Sequence, residues 1–407
     1  MLMERFTNYL RGRAGATMQY LKSANFMDIA IILTGLTLAV LIRYPLLSFK
    51  SSDFLDSTRK WYVTIKAQGG AVFGTNFSTY SPPYLYLLYL IARFFPDTPI
   101  LIATKFPSLL TDFICAFFVY CIVNLKYSER LFPMLAAYAV LFAPTVVLNS
   151  AFWGQADMLF TAPLVASIYF LVTRKNTLAF IAFGIALSFK LQAVFLMPLL
   201  VALFLRREVS WRHFLLLPLI VILSFVPSSL AGRPLPELLD IYLFQARQYP
   251  ELGLNAPNAY AWIPDTGLTQ RFFLPTGVIL GVTLSFLFII LVYKSRAKMS
   301  IALIVELAMV CAVLLPFFLP EMHERYFFLA DVVSIVFAFY SPRFFFVPLV
   351  MNLVSFFAYQ PILFNATPIP MGILAAGLFV MIAVLVKDMI SHLFSAGTEI
   401  KGFGETQ

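Results

Sequence analysis

Four short polar stretches interrupt an otherwise oily chain, and each carries side chains suited to acid–base or phosphate chemistry. The first, SSDFLD, places Asp53 and Asp56 about one helical turn apart. The second, NSAFWGQADM, offers Gln155 and Asp157; the third, SFKLQ, offers Lys190 and Gln192. The fourth, PEMHERYFF at 320–328, sets Glu321, His323, Glu324 and Arg325 between two apolar runs. A carboxylate, an amide, an ammonium, an imidazole and a guanidinium together can deprotonate a hydroxyl and stabilise a departing phosphate.

Each stretch also has a plainer reading. Asp53 suits a solvated loop. Gln155 and Asp157 suit the start of a helix, where a carboxylate complements the dipole. His323 and Arg325 suit anchors at a membrane interface. Lys190 is the hardest to dismiss, because an ionisable side chain beside hydrocarbon is costly. What favours chemistry is their arrival on one face, which depends on the elements that carry them.

Those elements are membrane spans. The chain has 407 residues, of which 61% are hydrophobic and 12% charged. A soluble chain carries roughly 25% charged residues, so half the usual charge is missing. Apolar runs recur at about 27–47, 84–95, 100–123, 131–149, 157–172, 178–205, 213–230, 272–293, 300–319, 325–340, 342–364 and 368–386. Many reach the ~20 residues that cross a bilayer core. The expected fold is all-α, a polytopic transmembrane helical bundle of about 11–13 spans. A β-barrel would instead alternate in segments of about 10 residues.

The net charge of +9 does not imply nucleic acid. The basic residues sit in short clusters between spans, as the positive-inside rule predicts: Lys126/Arg130, Arg174/Lys175, Arg206/Arg207/Arg212 and Lys294/Arg296/Lys298. Cys115, Cys121 and Cys311 lie inside apolar runs and read as small hydrophobes, without zinc or disulfide spacing. Residues 1–26 read as a cytoplasmic amphipathic segment and 391–407 as a cytoplasmic tail. Between them lie a module over 27–340 and C-terminal spans over 341–390. Two long connections, 48–81 and 231–271, must build most of what lies outside the membrane.

Orientation follows from the basic clusters. With the N-terminus and Lys294–Lys298 inside, 48–81, 231–271 and 320–325 all lie outside. Arg174/Lys175 and Arg206/Arg207 both prefer the inside, which requires LAFIAFGIALSF to go out and AVFLMPLLVALFL to return, turning at Lys190-Leu191-Gln192. One conflict remains: either 79–95 is not a complete crossing, or Lys126/Arg130 lies outside. Among intramembrane charges, Lys105 and Asp112 are seven residues apart, hence on one helical face, and read as an ion pair. Glu306 and Asp331 have no evident partner in the sequence.

With these stretches in view, the chain resembles the GT-C superfamily of integral membrane glycosyltransferases. It is similar in particular to prokaryotic polyprenyl-phosphate-mannose-dependent mannosyltransferases. The matching elements are Ser52-Asp53-Phe54, YSPPYLYLLYL at 80–90, KFPSLLTDF at 105–113, NSAFWGQADMLF at 149–160, SFKLQAVFLMPLL at 188–200, NAPNAYAW at 255–262 and HERYFF at 323–328. They occur in the family's order over most of 28–330.

The resemblance implies a hexosyltransferase of the inner (plasma) membrane with its active site on the extracytoplasmic side. A hexose, mannose favoured, would pass from a polyprenyl-phosphate-linked donor to a lipid or glycan acceptor by inverting single displacement. Asp53 and His323 would be the catalytic pair, Asp53 as base. Lys190, Gln192, Arg325, Gln155, Asp157 and Tyr326 would hold donor phosphate or sugar. No cofactor is required; Asp53, Asp56 and Asp157 could recruit a divalent metal, although no spacing demands one. The competing class is a transporter or flippase of a lipid-linked sugar or small anion, for which Glu306 and Asp331 are the main support.

Overall fold

The computed structural model describes residues 26–247 and 251–395. The expected N-terminal amphipathic segment up to residue 25, and the expected tail from 396 onward, lie outside the described residues. Among those described, seven helices are long and apolar enough to cross a membrane: Phe26–Ser48, Ile100–Val123, Trp211–Leu230, Gly267–Lys294, Ile301–Phe318, Pro342–Phe364 and Met371–Phe394. The last runs into the segment expected to be tail. An eighth candidate, Leu131–Phe142 with Pro144–Trp153, is bent by 48°. The bend follows from Pro144, because the residue before a proline is pushed out of the helical region and Ala143 is non-helical (φ −56°, ψ 125°).

The remaining apolar runs form shorter helices: Asp157–Val172, Asn176–Phe189, Leu191–Leu205 and Phe328–Tyr340. Helix Pro82–Phe94 has 13 residues, about 20 Å at 1.5 Å per residue, short of a bilayer core of ~30 Å. Lys66 Nζ in the first connection donates to the Pro96 carbonyl at 2.6 Å, so both ends of this helix stay beside that connection. The run at 84–95 is not a complete crossing, and the parity conflict disappears. The molecule is a multi-pass membrane protein in which full spans frame a set of half-length helices.

The two ends of this bundle differ in chemistry. At one end the basic clusters meet helix termini and each other. Lys126 Nζ donates to the carbonyls of Phe339 and Tyr340, both at 3.0 Å. Arg206 donates to the carbonyls of Ser295 and Ala297, and Arg130 pairs with Asp28 at 2.8 Å. Arg174 pairs with Glu208, whose backbone carbonyl accepts from Asn176 Nδ2 at 2.9 Å. Residues 174–176 and 206–208 thus share one end, so the intervening chain goes out and comes back as the charge pattern required. Helix Asn176–Phe189 stops at extended Lys190 (φ −153°, ψ 140°) and a 3-10 turn begins at Leu191.

The opposite end holds the long connections. The first carries a π-helical turn, Phe54–Thr58, and helix Arg59–Gln68. The second carries helix Leu235–Arg247 and a two-residue strand β1 (Gly253–Leu254). Arg233 Nη2 donates to Asn76 Oδ1 at 2.8 Å and Gln245 Nε2 to the Thr79 carbonyl at 2.9 Å, joining the two connections. Strand β1 pairs in parallel with β2 (Met322–His323), Leu254 opposite His323. This two-residue ladder, an exception within an all-α bundle, holds the HERYFF stretch against the second connection.

Buried charges correct one sequence expectation. Lys105 does not pair with Asp112. Its Nζ lies within 2.8–3.4 Å of the carbonyls of Leu46, Leu47, Phe49, Ala151 and Phe152. Asp112 instead faces Arg43, at 3.0 Å from Nη2, and accepts from Ser150 Oγ at 2.6 Å. The i,i+7 spacing was sound geometry, but two irregular segments surround Lys105 with carbonyl acceptors, while the carboxylate is already claimed by Arg43. Glu306 and Asp331 are not partnerless either: His392 Nδ1 is 2.7 Å from Glu306 Oε2, and Ser355 Oγ donates to Asp331 Oδ1 at 2.8 Å.

Breaking a buried ion pair on one side leaves an uncompensated charge, at a cost of about 3–5 kcal/mol. Arg43→Met is therefore expected to lower thermal stability in detergent sharply, while Arg43→Met with Asp112→Asn recovers much of the loss. Equal melting temperatures for the single variant and the wild type would show that the pair does not hold this helix contact.

Candidate active site

Asp53 reaches the site on the π-turn after the first span, and its side chain is exposed. Ser51 anchors the approach: its Oγ donates to the Trp153 carbonyl at 2.9 Å and accepts from Phe54 N at 3.2 Å. Trp153 Nε1 and Gln155 Nε2 both donate to Asp53 Oδ2, at 2.7 and 2.5 Å. Two donors on one oxygen orient the carboxylate and leave Oδ1 open as an acceptor.

Trp153 and Gln155 are delivered by the end of the broken helix. The π-helical segment Leu148–Trp153 stops at Gly154 in the left-handed region (φ 81°), where glycine carries no steric penalty. A Cβ there would also lie 3.1 Å from Lys105 Cγ. Lys105 gathers the Ala151 and Phe152 carbonyls just before this turn together with those of Leu46, Leu47 and Phe49, and Ser108 Oγ donates to the Gln155 carbonyl at 2.6 Å. The backbone that presents Gln155 is thus held by a buried cation and a buried hydroxyl.

Asp157 opens the next helix and is 1% exposed. It accepts from Lys190 Nζ and, at 2.8 Å, from Asn149 Nδ2; Arg325 Nε lies 3.6 Å from its Oδ2. Lys190 sits at the hairpin tip, with Tyr80 and Phe160 rings 5.9 and 5.8 Å from its Nζ. Arg325 continues the chain of charges: its Nη1 donates to Glu324 Oε1 at 3.0 Å, and its guanidinium lies 5.7 Å from the Trp153 ring. That ring is the one holding Asp53. Arg325 Nε is buried without a hydrogen-bond partner.

His323 is half-buried beside Glu324, Nδ1 to Oε2 3.8 Å, and its ring is 5.1 Å from that of Tyr326. Burial holds the imidazole below its ordinary value, aided by the Arg325 and Lys190 charges and opposed by Glu324. It is neutral at pH 7. Burial of Glu324 works against its charge, but the His323 contact and the Arg325 charge outweigh that and keep it below the usual carboxylate range. Burial also raises the Tyr326 phenol.

Seven of the eight sequence candidates thus belong to one connected cluster: Asp53, Gln155, Asp157, Lys190, His323, Arg325 and Tyr326. Gln192 is joined to it only through the chain. It is half-buried in the turn after Lys190, its Oε1 buried without a hydrogen-bond partner. Three participants were not singled out from the sequence, and Glu324 was named beside His323 and Arg325 without a role. Trp153 and Asn149 stand inside the quoted NSAFWGQADM stretch, and Tyr80 opens YSPPYLYLLYL. Their signal was proximity to residues already chosen; what hid them is that indole, amide and phenol groups are also ordinary at interfaces. Asp53, Asp56 and Asp157 do not converge. The group of three potential metal ligands found among the described residues lies elsewhere, at Glu306, Asp388 and His392.

No protein-family model matches the chain, and no curated protein matches it. Among solved structures, the crystal structure of ArnT from Cupriavidus metallidurans bound to undecaprenyl phosphate superimposes with a TM-score of 0.54, at 12% sequence identity, covering 89% of this chain and 77% of that one. Such a likeness establishes the fold, and the chain shares the multi-pass helical architecture of that structure.

Proposed function

We propose that the protein is a membrane glycosyltransferase that takes a sugar from a polyprenyl-phosphate carrier and transfers it to a lipid or glycan hydroxyl. The observation that carries this reading is the linkage of an exposed, doubly anchored Asp53 to Arg325 through the single Trp153 ring. A base open to an acceptor and a cation with unused donors stand on either side of one indole. The fold shared with a protein solved with undecaprenyl phosphate supports the same class of carrier.

In this mechanism the acceptor hydroxyl gives its proton to Asp53 Oδ1 as its oxygen attacks the anomeric carbon. The bond from that carbon to the phosphate oxygen breaks, its electron pair leaves with the phosphate, and the configuration inverts. Lys190 and Arg325 stabilise the leaving phosphate, and neutral His323 can donate one hydrogen bond to it. The cations are already paired with Asp157 and Glu324. They are therefore oriented before donor arrives, and phosphate takes the donors that the acids leave over.

An apolar cavity of about 540 Å³ lies between helices Pro82–Phe94, Ile100–Val123, Asp157–Val172 and Asn176–Phe189. Leu87, Phe106, Leu110, Leu159 and Ile185 line it, and so does Phe189, the residue before Lys190. An isoprenoid chain lying there would bring its phosphate to the hairpin tip. Mannose is the proposed sugar, on the sequence resemblance, and the site is proposed to face the extracytoplasmic side of the inner membrane, because the basic clusters occupy the other end. The partners of Glu306 and Asp331 remove the main support for the transport reading.

The direct test incubates purified protein with a polyprenyl-phosphosugar and candidate acceptors and looks for a new glycosidic bond. Passage of labelled donor across vesicles with no covalent change would overturn the reading. Asp53→Asn is expected to lower kcat about 10²–10⁴-fold, the usual worth of a general base, with donor binding retained; near-normal turnover would exclude Asp53 as base. Lys190→Met removes one phosphate partner and leaves Asp157 half paired. It is expected to raise the donor KM and lower kcat each at least about tenfold, the loss of one charge-assisted contact. Unchanged donor kinetics would exclude Lys190 from the donor site.

A further inference from the structure

We propose that Glu306, Asp388 and His392 form a binding site for a divalent transition-metal cation at the end of the bundle opposite the candidate active site. Glu306 lies near the start of helix Ile301–Phe318, whose far end leads into the HERYFF loop. It stands twelve residues before Phe318, about 18 Å along the axis. Asp388 and His392 lie near the end of helix Met371–Phe394, four residues apart and so on one face. One ligand atom from each of the three lies within 4.8 Å of the others. Nitrogen and oxygen atoms bound tetrahedrally to zinc at 2.0–2.2 Å stand about 3.4 Å apart, so closing the site needs shifts of about 1 Å.

The second observation is the state of Glu306. The side chain is 3% exposed, and its Oε1 is buried with no hydrogen-bond partner, while Oε2 takes the His392 contact. A carboxylate held out of water with one bare oxygen is costly, and a cation between Glu306 and Asp388 would satisfy it. His392 turns Nδ1 towards both acids, 2.7 Å from Glu306 Oε2 and 3.7 Å from Asp388 Oδ2. One imidazole nitrogen and two carboxylates suit Zn²⁺ and its first-row neighbours, whereas Mg²⁺ and Ca²⁺ favour oxygen alone.

Arg343 supplies the counter-charge now. Its Nη2 reaches both Asp388 oxygens, at 2.6 and 2.7 Å, and lies 3.1 Å from His392 Nε2. That last contact requires Nε2 to accept, so Nδ1 carries the proton. A metal on Nδ1 moves the proton to Nε2, which then faces Arg343 donor to donor. Metal and guanidinium are therefore mutually exclusive partners. Arg343 is 58% exposed and free to swing into water, which makes it a built-in competitor.

The test uses the full chain, purified in detergent, stripped with chelator and titrated with Co²⁺ at pH 7.5. Visible d–d absorption saturating at one Co²⁺ per chain and lost on adding Zn²⁺ is expected. Arg343→Ala should tighten Co²⁺ binding at least tenfold, and His392→Gln and Glu306→Gln should each abolish the absorption. Thermal unfolding and gel filtration confirm that each variant remains folded. Absence of the absorption from both wild type and Arg343→Ala would overturn the site, leaving a plain ion-pair network. Persistence of the absorption in folded His392→Gln would do so too.

Discussion

Asp157 is the group on which the arrangement depends. Its carboxylate is out of water, and a bare charge there would be prohibitive. It therefore has to be met by Asn149 from the broken helix, Lys190 from the hairpin tip and Arg325 from the loop before Phe328–Tyr340. Three segments distant in sequence are drawn to one point by a single desolvation penalty. Such a network is strong evidence of specified geometry and weak evidence of stability, because an apolar core of the same shape would hold the helices equally well. Its retention fits a place where charge must be handled.

The same logic separates the two ends of the molecule. At the basic end, cations meet helix-terminal carbonyls or exposed acids, as Lys126 does at Phe339 and Tyr340. At the other end, Lys190 and Arg325 are largely buried, balanced by Asp157 and Glu324, and lie near aromatic rings. Half-length helices make that second end possible. Helices Pro82–Phe94 and Asn176–Phe189 stop short of a full crossing, so their termini and the loops between them can lie at membrane depth without exposing backbone to lipid. Lys105 serves this purpose directly, since its ammonium donates to carbonyls of two irregular segments.

Much of this was legible in the sequence, and for identifiable reasons. Charge asymmetry alone required the hairpin at Lys190, because two basic pairs on one membrane face cannot be separated by one span. The four polar stretches were visible because a charged residue in an apolar run stands out. The partner of each charge was not legible. Lys105 and Asp112 satisfied the helical spacing, yet the partners came from the first span and the broken helix, which no local pattern encodes. Glu306 lacked a partner in the sequence because His392 lies 86 residues away, and Asp331 because Ser355 belongs to another helix. The β1–β2 ladder was invisible for a different reason: two-residue strands carry no periodicity.

The pairing of cations with carboxylates bears on how such a site would handle phosphate. Lys190 and Arg325 are balanced by Asp157 and Glu324, so the cluster presents little net positive charge to an incoming anion. Bare cations would hold product phosphate tightly and slow its release. Pre-paired cations are oriented without being fully available, so a phosphate gains most when its charge grows, as it does when the sugar leaves. Neutral His323 suits this balance, since it offers a hydrogen bond without adding a charge. A protonated imidazole would shift the cluster towards ground-state binding. In the proposed reaction a weakly basic His323 and an acidic Glu324 would both favour developing charge over resident charge.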